Sequence, residues 1–359
     1  MSGGFNFGFS GDDFDEDHTN DSHEAQSTPM ETADAEPTVK PMAHKLQNLM
    51  AKLPPKISWN TIKIESPKGS ILYLPRRELF DVRVQIMAQD EDVAGEVKVP
   101  GLDNADIRTN VYEGGFKSWE CSFDLARLLL DRGPRKDIDD LCRVDHVIEM
   151  GCGTAIPVSV LFHYAITQAL PLYFTFTDYN LEVLELVTLP NLLLTFASTL
   201  PANSEAFLDS QNPLANLGSN SGGDLEITAA LKDCFVQTLS TMPLTLTFIS
   251  GSWSPATPFL DLIPTSSQMN TLVLASETIY SPSALKSFTT ALVGMLRRVR
   301  IGKAMIAAKR FYFGVGGSID AFKIECSEQG AVGYEIENHN VDLGEGEGVR
   351  RCLLEVQML

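Results

Sequence analysis

The stretch Val147-Ile148-Glu149-Met150-Gly151-Cys152-Gly153-Thr154-Ala155-Ile156-Pro157 carries the strongest chemical signal in the sequence. An apolar run enters a glycine-rich turn, and the turn opens a helical pattern. Gly151 and Gly153 remove Cβ atoms where a ligand must lie against backbone. A second run, Phe174-Thr175-Phe176-Thr177-Asp178, ends in a carboxylate 25 residues after Gly153. A carboxylate in that place can accept both hydroxyls of a ribose. A third run, Phe248-Ile249-Ser250-Gly251-Ser252-Trp253, ends in a glycine suited to a tight turn and an indole suited to a purine ring. Each has a plainer explanation: a turn, a helix N-cap at Asp178, a core tryptophan. Their order at three successive strand ends favours a ligand.

The ligand class follows from two missing signals. A dinucleotide fingerprint needs a third glycine where Ile156 stands. The phosphate-cradling G-x-x-x-x-G-K-[ST] pattern does not occur. The set therefore favours an adenosine-containing ligand without phosphates, S-adenosylmethionine.

A sheet must bring these residues together. From Asp145 onward short apolar runs alternate with helical patterns. Strands are predicted at 146–150, 172–177, 244–250, 271–275, 303–308, 333–337 and 352–358, and helices at 157–168, 181–199, 283–300 and 318–329. That alternation predicts an α/β fold, a mostly parallel wound sheet with helices on both faces. Residues 202–242, rich in Asn, Ser and Gly around 210–224, read as a solvated low-complexity insertion. Upstream, 41–56 reads as a polar helix ending at Pro54-Pro55, 57–75 as a hairpin turning at Lys68-Gly69, 77–89 as a short helix and 90–108 as a linker.

The 359 residues carry a net charge of −19, from 47 acidic and 28 basic side chains. The first 39 residues hold no Lys or Arg and ten carboxylates, so they supply −10 of it. Such a segment repels itself and buries little, so residues 1–40 are expected to be a disordered acidic tail. Its tip, Phe5-Asn6-Phe7-Gly8-Phe9, reads equally as a docking motif or as a sticky end without function. The acidic balance argues against direct nucleic-acid binding and suits a basic partner. No apolar run approaches 18 residues, so no membrane span is expected. No basic segment followed by an apolar stretch marks a leader. Cys121, Cys142, Cys152, Cys234, Cys326 and Cys352 are scattered without a C-x-x-C pair, which suits a reducing compartment and offers no zinc site. The charge and the lack of an apolar stripe lean towards a monomer.

The chain resembles the seven-strand class I methyltransferases and, within them, the protein-histidine methyltransferases of fungi. The resemblance rests on Gly114-Gly115-Phe116-Lys117-Ser118-Trp119-Glu120-Cys121-Ser122 before the first strand, and on Thr177-Asp178-Tyr179-Asn180 after the second. It continues in Gly251-Ser252-Trp253, Ala275-Ser276-Glu277-Thr278-Ile279-Tyr280 and Tyr312-Phe313-Gly314-Val315-Gly316-Gly317. It covers most of residues 110–325 and implies a Rossmann-like methyltransferase domain at 109–359 behind an N-terminal extension at 41–108. It implies S-adenosylmethionine as methyl donor, held by Ser118, Trp119, Glu120, Cys121, Ser122, Gly151, Gly153, Asp178, Tyr179, Asn180, Gly251, Ser252, Trp253 and Ser276. It also implies an acceptor histidine on a large-ribosomal-subunit protein, the third in the universal naming, and a place in cytoplasm and nucleus. Lysine-modifying relatives tend to carry Asp-x-x-Tyr after the fourth strand; this chain carries Glu277-Thr278-Ile279-Tyr280, as the histidine branch does.

Methyl transfer from a sulfonium is an in-line displacement, so positioning supplies much of the rate. A free imidazole titrates at about 6.5 and is mostly neutral at pH 7, so it needs orientation more than a base. Glu277 could accept the N–H of the nitrogen that is not methylated, and Tyr280 could wall the pocket or donate a hydrogen bond. The position of Glu277 also suits a first-turn charge at a helix N-terminus. A lysine methyltransferase of the same fold and a non-catalytic assembly chaperone remain as alternative functions.

Overall fold

A computed structural model describes residues 39–91, 107–108, 112–131, 144–207, 210–336 and 350–359. The acidic tail up to residue 38, and most of the expected linker, lie outside these residues.

The N-terminal extension holds β1 (Met42–His44), α1 (Leu46–Ala51), β2 (Lys56–Glu65), β3 (Ile71–Arg77) and α2 (Leu79–Glu91). After α3 (Glu120–Asp131) come β4 (His146–Met150), α4 (Ile156–Thr167), β5 (Leu172–Asp178) and the long helix α5 (Leu181–Ser198). Then follow β6 (Gly222–Glu226), α6 (Ala229–Thr241), β7 (Leu244–Ser250), α7 (Ala256–Leu260) and β8 (Asn270–Ser276). The chain ends with α8 (Pro282–Leu296), β9 (Ile301–Lys309), α9 (Ile319–Glu328), β10 (Ala331–Glu335) and β11 (Arg351–Met358).

The main sheet runs β1-β7-β5-β4-β8-β9-β11-β10. Strands β7, β5, β4, β8 and β9 are parallel; β11 is antiparallel to β9 and β10, and β1 is antiparallel to β7. The chain enters at β4, winds outward through β5 to β7, then returns to β8 and winds the other way to β9. This reversal opens a crevice beyond the carboxyl ends of β4 and β8, where a wound sheet takes its ligand.

Alternation along the strands sorts the two faces. Val147, Phe174, Phe176 and Phe248 join one apolar cluster with α3, α4, α5, α6 and the β2–β3 hairpin. Ile148, Met150, Ile249, Val273 and Ala275 join a second, with α7, α8 and α9. Both faces are covered, which is why the strands read as unbroken apolar runs.

The structure corrects two expectations. Residues 41–56 are not one polar helix, because Met42–His44 pairs with Phe248–Ser250 and α1 is only six residues long. The 202–242 insertion is instead structured. Strand β6 pairs with β2 and completes a sheet of order β3-β2-β6. Thr228 caps α6 by accepting the Leu231 N–H at 3.1 Å. Leu225, Ile227, Leu231, Phe235 and Leu239 are buried, so α6 is the crossover helix that returns the chain to β7. Leu181–Ser198 is long and apolar enough to cross a membrane by composition, yet 78% of it is buried within the fold. It packs on β3 and α4.

One turn of α5, Leu184–Thr188, is a π-helix, a local widening that frees backbone groups for other partners. Arg77, buried at the end of β3, donates through Nη1 to the Leu186 carbonyl at 2.8 Å. Its backbone N–H donates to Asn191 Oδ1 at 2.8 Å, and Asn191 Nδ2 donates to the Thr154 carbonyl at 2.8 Å. The hairpin is thereby tied through α5 to the glycine-rich turn.

Candidate active site

The turn after β4 is held from three sides. Gly151 and Gly153 have φ of +65° and +49°, a left-handed backbone that favours glycine. A Cβ on Gly153 would meet the Gly115 carbonyl oxygen at 3.1 Å, so this turn lies against the segment before α3 with no room for a side chain. The Gly153 N–H donates to Asp178 Oδ2 at 3.0 Å, and the Thr188 hydroxyl donates to the Gly153 carbonyl at 2.7 Å. Asp178 also accepts the Asn180 N–H through Oδ1 at 3.3 Å. Glu149, just upstream, is fully buried and accepts the Val158 N–H at 3.3 Å through Oε2. Burial pushes its carboxyl well above the usual range, so it serves the strand–helix junction.

The third strand end is built differently. Gly251 has φ of +112°, and a Cβ there would fall 2.7 Å from the Lys40 carbonyl oxygen and from Pro41 Cα. The Ser252 N–H donates to the Val39 carbonyl at 2.9 Å, and Ser252 Oγ accepts the Ser254 N–H at 3.0 Å. These two residues dock the segment that leads into β1. Trp253 beyond them packs its ring against Phe288 at 5.5 Å and reaches the crevice.

After β8, Glu277 has φ of +58°, unusual for a residue with a side chain and worth roughly 1–2 kcal/mol of strain. Such an outlier persists only where its surroundings over-determine it. Its N–H donates to the Ala307 carbonyl at 3.0 Å. Its Oε2 accepts the Tyr312 hydroxyl at 2.6 Å. Its Oε1 is shielded from solvent without a hydrogen-bond donor among the described residues, with Lys309 Nζ at 3.8 Å. Lys309 also lies 3.7 Å from Glu120 Oε2 and 5.3 Å from the centre of the Trp119 ring. Helix α8 starts only at Pro282, with Ser281 as its N-cap accepting the Ala284 N–H at 3.2 Å, so Glu277 is not a first-turn helix charge. Burial and the adjacent Glu277 carboxylate push the Tyr312 phenol well above its ordinary range, so it acts as a donor.

The ends of β4, β5, β7, β8 and β9 and the segment before α3 enclose one cavity of about 840 Å³, counting the space open to solvent. Gly151, Gly153, Asp178, Trp253, Glu277 and Tyr280 line it, with Trp119, Ser122, Ser276, Lys309 and Tyr312. Among the described residues no group of His, Cys, Asp and Glu is placed to hold a metal ion.

No family model matches the chain. Histidine protein methyltransferase 1 of Saccharomyces cerevisiae is 33% identical over 341 residues, covering 89% of this chain and 89% of that protein. Histidine protein methyltransferase 1 of Schizosaccharomyces pombe is 32% identical and covers 90% of this chain and 84% of its own. The chain belongs to the histidine protein methyltransferase family. Among solved structures, a TehB-like SAM-dependent methyltransferase from Corynebacterium glutamicum aligns with 79% of the chain at 11% identity and a TM-score of 0.33, which adds nothing to the fold read from the sheet itself.

A histidine protein methyltransferase needs a methyl donor, and the cavity fits S-adenosylmethionine. Its glycine turn has no space for Cβ atoms, and Asp178 and Glu277 suit a ligand that carries a positive sulfur. Trp119, Ser122, Gly151, Gly153, Asp178, Trp253 and Ser276 all line that space, as do Glu277 and Tyr280. The remaining candidates do not. Ser118 hydrogen-bonds Thr154 Oγ1 at 3.0 Å and receives Arg76 Nη1 at 3.2 Å, bracing the turn from behind. The Glu120 side chain is largely exposed and pairs with Lys309. Cys121 is wholly buried, its thiol pushed well up by burial and by Glu277. Tyr179 and Asn180 follow Asp178 outside the lining, where the Asn180 N–H serves the carboxylate. Gly251 and Ser252 support β1, as above. His146 is packed in β4 against Thr175 Oγ1 at 2.7 Å.

Sequence reasoning missed Lys309 and Tyr312 as working parts of this site. Tyr312 belonged to a resemblance motif without a role, and the end of β9 carried no signal that it meets Glu277.

Proposed function

We propose that the chain transfers the methyl group of S-adenosylmethionine to one histidine of a basic protein, a large-ribosomal-subunit protein, the third in the universal naming. The observation that carries this reading is Glu277 Oε1 on the wall of the donor cavity, a buried carboxylate oxygen with no hydrogen-bond donor among the described residues and only the Lys309 ammonium near it, at 3.8 Å. An unmet acceptor of that kind is answered by an N–H, and a neutral imidazole brings one. Bound S-adenosylmethionine supplies an electrophilic methyl group on a sulfonium. Asp178 and the glycine turn hold the donor, and the cavity wall at Trp253 and Ser276 confines it. Glu277 accepts the imidazole N–H, turns the other nitrogen inward and stabilises the imidazolium as its charge develops. A lysine side chain, which titrates at about 10.4 in water, would first have to lose a proton at a cost near 5 kcal/mol at pH 7.

The acceptor backbone must cross the rim of the cavity. Phe311 and Phe313, the neighbours in sequence of the cavity residue Tyr312, are exposed at 44% and 75%, with ring centres 5.0 Å apart, and are the apolar surface offered to that backbone. The charge of −19 favours capture of a basic protein at long range and disfavours nucleic acid. The reading assigns the chain no role at a membrane; it acts as a monomer in cytoplasm and nucleus, where that substrate is made and assembled.

The test incubates the protein and labelled S-adenosylmethionine with ribosomal proteins from cells lacking the endogenous activity. Label in methylhistidine of that one protein is expected. Label in methyllysine, or none, overturns the reading.

A further inference from the structure

Resting on the reading that the chain methylates histidine, we propose that Tyr312 and Glu277 together decide which of the two imidazole nitrogens receives the methyl group. A neutral imidazole carries an N–H on one nitrogen and a lone pair on the other. Only the lone-pair nitrogen attacks. A fixed acceptor for the N–H therefore fixes the tautomer and the product isomer together.

Glu277 is built to be such an acceptor because its two oxygens differ. Oε2 is occupied by the Tyr312 hydroxyl at 2.6 Å, while Oε1 has no hydrogen-bond donor among the described residues and faces the Lys309 ammonium at 3.8 Å. A carboxylate free at both ends can rotate and meet either imidazole edge; one anchored at Oε2 presents a single direction. The anchor is itself fixed. The Tyr312 oxygen accepts the Lys309 backbone N–H at 3.2 Å, and the Tyr312 N–H donates to the Gly317 carbonyl at 2.9 Å. The Gly317 N–H in turn donates to the Tyr280 carbonyl at 2.9 Å, binding this loop to the turn that carries Glu277. The left-handed backbone of Glu277 and its bond to Ala307 fix the other end of the side chain.

In the step itself an N–CH3 bond forms at the lone-pair nitrogen as the donor S–CH3 bond breaks. The positive charge passes from sulfur to the imidazolium. The proton on the other nitrogen, hydrogen-bonded to Oε1, then leaves through Glu277 to solvent and gives neutral methylhistidine. Tyr312 touches none of the reacting atoms and is a positioning residue.

The test compares the full chain with Tyr312→Phe, Glu277→Gln and the double variant. The acceptor is ribosomal protein from cells lacking the endogenous activity, and the two methylhistidine isomers are separated after hydrolysis. Donor binding by calorimetry and the melting temperature are followed in parallel. The unaltered protein is expected to give one isomer. Tyr312→Phe is expected to bind donor as before, to lose about tenfold to a hundredfold in kcat, and to give both isomers. The double variant is expected to turn over no more slowly than Glu277→Gln alone, since both act through one carboxylate. One isomer from Tyr312→Phe at an unchanged rate, or losses that multiply in the double variant, overturns the proposal. If Tyr312→Phe fails to fold, Glu277→Gln decides: a mixture supports the proposal, and a single isomer overturns it. Absence of methylhistidine from the unaltered protein instead overturns the function on which the proposal rests.

Discussion

Asp178 Oδ2 receives the Gly153 amide at 3.0 Å, so the end of β5 grips the turn at the end of β4. One carboxylate thus shapes the glycine turn and faces the donor cavity. Asp178→Ala removes both functions. Donor affinity is expected to fall by about 2–3 kcal/mol, a hundredfold or thereabouts, as for a charged hydrogen-bonding partner. Calorimetric titration of the donor checks this.

Asn191 links the hairpin to the same turn, accepting from the Arg77 N–H and donating to the Thr154 carbonyl. Asn191→Leu leaves both buried groups without their partner. Each costs about 1–3 kcal/mol. A lower denaturation midpoint is expected, with donor affinity reduced as well because Thr154 lines the cavity.

Burial holds the His146 imidazole at about pH 4, below its ordinary value of 6.5. Between those values the unfolded chain binds the extra proton. The contribution of this residue to stability is therefore complete above about pH 6.5, declines as pH falls, and is reduced by about 3 kcal/mol at pH 4. The difference in melting temperature between the unaltered protein and His146→Gln should shrink from pH 7 to 4; the comparison is needed because buried Glu149, its carboxyl raised, contributes the opposite slope in that window. His163, also lowered by burial, leaves a residual slope.

Phe313 is three-quarters exposed and follows Tyr312, whose hydroxyl meets Glu277. If the acceptor chain covers its ring, Phe313→Ala raises the KM for the protein acceptor about tenfold. Donor affinity and melting temperature stay as they were. Initial rates against acceptor concentration are the measurement.

The central strands were legible because burial on both faces writes itself as continuous apolar runs; 146–150 and 244–250 coincide with β4 and β7. The same logic failed in 202–242. There the Asn, Ser and Gly of the first half masked Leu231, Phe235 and Leu239, whose spacing marks one face of α6. Gly251 was legible as a residue needing space, but a glycine does not reveal what fills that space; here it is Lys40 and Pro41, more than 200 residues away. Strand β1 was beyond reach for the same reason, since three residues have no periodicity and their partner strand lies far along the chain. Glu277 and Tyr312 sit 35 positions apart, and only the crossing from β8 to β9 joins them.

Strand β1 has a consequence for truncated forms of the protein. It is the outermost ribbon beside Leu244–Ser250 and occupies the backbone of Phe248, Ile249 and Ser250. A version cut after His44 would lay that margin bare, next to the apolar Phe248 and Ile249. Bare margins of this kind recruit like margins from other molecules. Shortened preparations should therefore clump with rising concentration while the full-length chain stays dispersed.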